Sequence, residues 1–147
     1  MSYTQLYYHI VFTTKRRNPV LLEPRREELF KYIWGTVNKL NCQLYRINGI
    51  EDHIHVFCSI HPKVCLADFV KSIKGASWNW IRSNEIFPEF TQWQNSYSAF
   101  THSNSEKDRI IQYIINQQEH HKDLLTEDEL QILYGNAGLK FDKKFLL

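Results

Sequence analysis

The strongest constraint on this chain is the order in which two hydrophobic periods alternate along it. Residues 3–14, Tyr-Thr-Gln-Leu-Tyr-Tyr-His-Ile-Val-Phe-Thr-Thr, are rich in β-branched and aromatic types and predict a first strand. Lys15-Arg16-Arg17-Asn18-Pro19 ends it. Pro24 suits a first helical turn, and Leu29, Phe30, Ile33, Trp34, Val37 and Leu40 then recur at helical spacing, which predicts a helix to about Asn41. Residues 42–50 read as a second strand, Glu51-Asp52 as a turn, and residues 53–60 as a third strand. Asn48-Gly49 is a competing hairpin signal, and a bulge there reconciles the two. Residues 66–83 predict a second helix with Leu66, Phe69, Ile73, Ala76 and Trp80 on one side and Lys71, Lys74, Trp78 and Arg82 on the other. Pro88 falls in a loop, and residues 93–101 read as a fourth strand. Ser103 or Ser105 caps a third helix that runs to about Lys122. A short helix from Glu127 to Tyr134 and a tail to Leu147 complete the reading.

The resulting β-α-β-β-α-β order is the ferredoxin-like split arrangement. The expected class is α+β: an antiparallel sheet with helices on one face, plus a C-terminal helix. One domain is expected over residues 1–147, with a core to about residue 102, a third helix over about 105–122 and a tail from 123. A length of 147 residues and a hydrophobic fraction of 43% support one folded unit. No stretch approaches the roughly 18 apolar residues of a membrane span. The N-terminus lacks a basic region and a cleavage site, so no export signal is expected. Cys42, Cys58 and Cys65 form no CxxC pair, which favours free thiols and a reducing cytoplasm. A net charge of +2 leaves any nucleic-acid site to a local patch. There is no glycine-rich phosphate loop, no GxSxG elbow and no clustered Cys/His zinc pattern, which points away from nucleotide-driven and serine-hydrolase chemistry.

His53 and His55 flank Ile54 in the third strand, so their imidazoles point to the same face. Such a pair is most often incidental. Cys58 has the opposite parity, and His61 lies about 20 Å further along an extended strand. Tyr113 and Gln117 stand one turn apart on the third helix, with His120 in the same sector and His121 beside it. Alone, this is an amphipathic helix with a boundary tyrosine. Together, the four residues can hold a divalent metal and aim a phenol at a phosphate. Lys15, Arg16 and Arg17 are a loop run of the kind usually left to solvent. Lys71, Lys74 and Arg82 share a face with Trp78, suited to phosphate binding and base stacking, and Gly75 permits close approach there.

Read as a set, these segments resemble the single-tyrosine HUH transposases, the IS200-like group that includes the REP-associated tyrosine transposases. His53-Ile54-His55 meets the His-hydrophobic-His motif. Tyr8-His9-Ile10-Val11-Phe12-Thr13-Thr14-Lys15 resembles the opening strand, continued by Arg17-Asn18-Pro19-Val20-Leu21. Val70-Lys71-Ser72-Ile73-Lys74-Gly75-Ala76-Ser77 resembles the second-helix signature, and Tyr113 to His121 the catalytic helix. In Trp93-Gln94-Asn95-Ser96-Tyr97 the family often has glycine in place of Ser96, a departure that bears on local turn geometry. The matches run in order over nearly the whole chain.

The resemblance implies a DNA transposase acting on single-stranded DNA. Tyr113 is the implied nucleophile, and His53, His55 and Gln117 the implied ligands of Mg²⁺ or Mn²⁺. His120 and His121 stand close behind them. A 5′-phosphotyrosine link would form and then be resolved by another 3′-hydroxyl, which needs no ATP. A phenol with a pKa of about 10 is a poor nucleophile at neutral pH, so a cation on the phosphate has a defined task. Implied partners are hairpin-containing DNA and a second copy of the chain in a homodimer, with Lys15, Arg16, Arg17, Lys71, Lys74, Trp78 and Arg82 as DNA contacts. Two other readings stand beside it: a non-catalytic nucleic-acid-binding module on the same scaffold, and a metal-dependent hydrolase that uses water as nucleophile.

Overall fold

The computed structural model describes residues 1–141, so the expected tail beyond Phe141, with Phe145, lies outside the described residues. The elements are β1 (Tyr7–Thr13), α1 (Arg26–Lys39), β2 (Gln43–Gly49), β3 (His53–Ser59), α2 (Leu66–Ser83), β4 (Ser98–His102), α3 (Lys107–Ile115), α4 (Gln117–His120) and α5 (Thr126–Asn136). The sheet order is β2-β3-β1-β4 with every neighbour antiparallel, the ferredoxin-like arrangement expected from the sequence. Among the described residues, no helix is long and apolar enough to cross a membrane.

Strand alternation divides the sheet into two faces with different tasks. Ile10, Phe12, Ile54, Val56 and Cys58 belong to the large core cluster, together with Leu29 and Ile33 of α1 and Phe69 and Ile73 of α2. His9, Val11, His53, His55 and Phe57 have the opposite parity. The register places Val11 opposite His55 and Thr13 opposite His53. That second face is covered too: Ile110 and Ile114 of α3 pack on Phe57, and Leu130 of α5 packs on Val11 and Phe100. The histidine pair is therefore sandwiched between the sheet and the C-terminal helices.

Several boundaries differ from expectation. β1 starts at Tyr7 because its pairing with β3 and β4 begins there. β4 starts at Ser98, because Trp93 turns its indole inward, donates from Nε1 to Ser77 Oγ at 3.0 Å, and pairs only in an isolated bridge with Thr14. The bulge in the β2–β3 pair lies between Leu44 and Arg46, away from Asn48-Gly49. At Gly49 the chain turns back so tightly that a Cβ would stand 2.2 Å from the His53 carbonyl oxygen. The third helix is interrupted at Asn116 (φ −91°, ψ 18°) and resumes as α4. Asn48 accounts for the break: its Nδ2 donates to the carbonyls of Ile114 and Ile115 at 2.9 and 3.1 Å, acceptors that a continuous helix would bond itself. The last helix is longer than expected and begins at Thr126.

Candidate active site

Six side chains from three segments (β3, the stretch 113–121 and α5) meet over the histidine face. β3 supplies His53 and His55, both fully buried, with their Nε2 atoms 3.1 Å apart. The break at Asn116 leaves Gln117 buried, with Oε1 3.1 Å from His53 Nε2. α5 supplies Glu129, whose Oε1 lies 3.0 Å from His53 Nε2 and 2.9 Å from His55 Nε2. Its Oε2 accepts from Tyr113 Oη at 2.5 Å and from Gln117 Nε2 at 2.8 Å. His121 completes the group, with Nε2 3.1 Å from Glu129 Oε1.

Surrounding contacts fix the rings. His53 Nδ1 faces Asp52 Oδ1 at 2.8 Å, and a carboxylate oxygen accepts, so Nδ1 carries the hydrogen and Nε2 turns inward. Thr126 Oγ1 donates to the same carboxylate at 2.9 Å and so fastens the start of α5 to the β2–β3 turn. His9 Nε2 lies 2.7 Å from His55 Nδ1. His121 Nδ1 donates to the Leu124 carbonyl at 2.6 Å. The His120 ring stacks on Tyr113 with centroids 4.9 Å apart, and its buried Nε2 has no hydrogen-bond partner.

The electrostatics follow from this packing. Burial alone would push His53 down, but the Asp52 and Glu129 carboxylates overcome it and hold the imidazole up at about 9. Burial pushes its neighbour His55 down to about 4. The pair therefore carries one positive charge near neutrality in the metal-free molecule. Burial would raise Glu129, but hydrogen bonds from His121, His53 and His55 hold it far below the usual carboxylate range. Burial and the Glu129 charge push the Tyr113 phenol well up.

The donor set fits a divalent ion. His53 Nε2, His55 Nε2 and Glu129 Oε1 form a triangle of potential ligand atoms, once His53 gives up its Nε2 hydrogen, and the three residues are grouped closely enough to hold one ion. Ligand atoms bound at about 2.1 Å in an octahedron stand ~3.0 Å from their neighbours, which matches the 2.9–3.1 Å sides of this triangle. Two imidazoles and one carboxylate on a single face leave the remaining positions open.

This site lies in a chain whose residues 2–117 match the family model described as "Transposase IS200 like". The chain belongs to the IS200-like transposase family. This family member is 27% identical over 122 residues to the ISDra2 transposase TnpA of Deinococcus radiodurans, a match covering 78% of this chain and 86% of that protein. In structure it resembles a protein of Deinococcus radiodurans R1 assigned as a transposase, at 28% identity and a TM-score of 0.63, over 80% of this chain and 95% of the other. It also shares the fold of a REP-associated tyrosine transposase solved with a REP hairpin, at 13% identity and a TM-score of 0.60, over 82% of this chain and 74% of the other.

In this IS200-like transposase, the residues singled out by the sequence fall into two groups. His53, His55, Tyr113, Gln117, His120 and His121 come together within one chain. The basic residues lie elsewhere. Lys74 Nζ donates to the Gln94 and Ser96 carbonyls at 2.7 and 2.8 Å, and burial pushes it down to about 8. Trp78 Nε1 donates to the Thr91 carbonyl at 2.9 Å, and Arg82 Nη1 to that of Phe90 at 3.0 Å. These three hold the segment before β4 against α2, while Lys71 stays exposed at a groove that also includes Lys74, Gly75 and Trp78. Lys15, Arg16 and Arg17 form a short 3-10 turn, where Arg17 pairs with Glu127 at 3.7 Å.

Sequence reasoning missed Glu129, along with the supporting roles of His9, Asp52 and Thr126. A signal for Glu129 existed. Thr126 and Glu129 stand three apart on a helix and so share a face. That spacing also reads as an ordinary capping box, but here Thr126 bonds Asp52 and Glu129 enters the site.

Proposed function

We propose that this IS200-like transposase cleaves and rejoins single-stranded DNA through a covalent bond to Tyr113, assisted by a divalent metal at His53, His55, Gln117 and Glu129. The observation that carries the reading is that one carboxylate, Glu129, contacts both the ligand histidines and the phenol. A divalent ion held there would draw charge from a non-bridging phosphate oxygen and make phosphorus more electrophilic. Tyr113 supplies the attacking oxygen, and Glu129 Oε2 accepts its proton. The O–P bond forms as the bond from phosphorus to the 3′-oxygen breaks, leaving a 3′-hydroxyl, protonated by water, and a 5′-phosphotyrosine. A second 3′-hydroxyl then attacks that link and regenerates the phenol. Gln117 presents its oxygen towards the ligand set while its amide steadies Glu129.

Hairpin-containing DNA is the proposed substrate, in keeping with the hairpin bound by the REP-associated relative. Lys71 and the turn at Lys15, Arg16 and Arg17 are the proposed phosphate contacts, with Lys74, Trp78 and Arg82 shaping the groove beside them. A homodimer is part of the same proposal, supported by β2 and β4 lying at the two open edges of the sheet.

The test is a denaturing gel of the protein with labelled single-stranded hairpins and Mn²⁺. The expected result is a shifted band that survives denaturant in the wild type and vanishes in Tyr113→Phe. An adduct that persists in that variant excludes Tyr113. Tight metal-independent binding with no cleavage under any metal favours the binding-module reading.

A further inference from the structure

The family match ends at residue 117, yet two of the polar side chains closest to the histidine pair, His121 and Glu129, come after it. His121 is the less obvious of the two. Its side chain is only 5% exposed. Its Nδ1 points at the Leu124 carbonyl at 2.6 Å, and a carbonyl can only accept, so Nδ1 carries a ring hydrogen. Nε2 faces Glu129 Oε1 at 3.1 Å, just outside the closer group formed by the ligand atoms of His53, His55 and Glu129. To bind a cation it gives up the hydrogen shared with that carboxylate and closes in on the ion. Glu129 Oε1 thus lies within 3.1 Å of three imidazole Nε2 atoms, from His53, His55 and His121. A histidine whose second nitrogen is pinned by a backbone carbonyl is oriented as metal-bound histidines are, and His53 is pinned in the same way by Asp52.

We propose that His121 is a further ligand of the ion, so that the centre of this chain is His53, His55, His121 and Glu129 with Gln117 beside them, and is selective for late first-row divalent ions over Mg²⁺. The proposal rests on the metal-dependent reading above. The selectivity follows from ligand chemistry. Mg²⁺ demands oxygen ligands and keeps much of its water, whereas imidazole suits Mn²⁺, Co²⁺, Ni²⁺ and Zn²⁺ increasingly well. Two imidazoles with an amide oxygen would leave Mg²⁺ competitive. Three imidazoles favour the later ions. The segment from 121 to 129 then acts as a part of the metal centre supplied after the region that the family model matches.

The experiment is titration of the metal-free full-length protein with Co²⁺, followed by visible absorption and calorimetry, with Mg²⁺, Mn²⁺ and Zn²⁺ in parallel. The proteins are wild type, His121→Gln, His121→Ala, His53→Ala and the surface control His61→Ala, each first compared with wild type by circular dichroism. The expected result is that the His121 variants lose Co²⁺ affinity by roughly 10–100-fold and change the Co²⁺ band pattern, while weak Mg²⁺ binding is unaltered. His121 variants that bind Co²⁺ as His61→Ala does overturn the proposal. Lower affinity with an unchanged band pattern also overturns it, since a residue that only braced the 121–125 turn would behave so. If His53→Ala abolishes binding while the His121 variants retain it, only the His121 assignment falls. If the wild type binds no divalent ion, the metal-dependent reading falls with it.

Discussion

Tyr113 donates its phenolic hydrogen to Glu129 across 2.5 Å, and the other oxygen of that carboxylate faces two buried histidines. The proposed nucleophile and the proposed ligand set are therefore joined through one side chain. Glu129→Gln keeps the shape and removes both the charge and the proton acceptor. Adduct formation should fall by about 10²–10⁴-fold, the usual range for loss of a positioned acid–base group. Single-turnover gels at saturating metal measure it, and a rate within twofold of wild type would refute the proton role.

Asp52 never touches the proposed ion, yet it fixes the His53 ring through Nδ1 and anchors Thr126. Asp52→Asn should weaken metal binding by roughly 10–100-fold, as changes behind a ligand commonly do. Calorimetry with Mn²⁺ reads this directly. Thr126→Val should produce a smaller loss, because it frees the start of α5 while leaving the carboxylate on His53.

Metal-free protein should lose stability as pH rises from about 6.5 to 8. His53 is held up at about 9 when folded and returns to 6.5 when unfolded. In that window the folded state keeps a proton on His53 that the unfolded state has released, so the stabilisation from His53 is complete below 6.5 and declines as pH rises. Above about 8 the opposite change at Lys74, held down at about 8 when folded, offsets it. Urea unfolding in chelator at three pH values across this range gives the slope. A stability that rises with pH there would contradict the His53 environment described above.

Gly49→Ala should destabilise the fold by about 1–3 kcal/mol, because an added Cβ would meet the His53 backbone oxygen at 2.2 Å and overpacking of this kind forces the chain to shift. The shifted backbone belongs to a proposed ligand, so metal affinity should fall as well. Chemical denaturation and calorimetry separate the two effects. An unchanged unfolding midpoint would show that the turn is not tight at Gly49.

Ile114→Ala should cost about 2–5 kcal/mol, since Ile114 is fully buried beneath α3 against Phe57 and its truncation opens a cavity. Denaturant midpoints test this, and a loss under 1 kcal/mol would mean that α3 is not held by this contact.

What the sequence determined by itself is local periodicity. Helix α2 is bounded at Leu66 and Ser83 as its apolar stripe predicts, because a helix face repeats on a scale that a single segment displays. The shared face of His53 and His55 follows from strand parity in the same way. Only the tertiary structure decided what meets that face. Asn48 interrupts the third helix from 66 residues away in sequence, which no pattern around Asn116 reveals. Lys74, Trp78 and Arg82 look like a free basic face on the helical wheel, but the loop before β4 folds onto them and takes their hydrogen bonds. Glu129 reaches His53 across 76 residues because Leu130 buries against Val11 and Phe100 and brings its neighbour down onto the histidines. Backbone geometry sets which side chains share a face, whereas convergence on one point depends on how distant apolar surfaces pack.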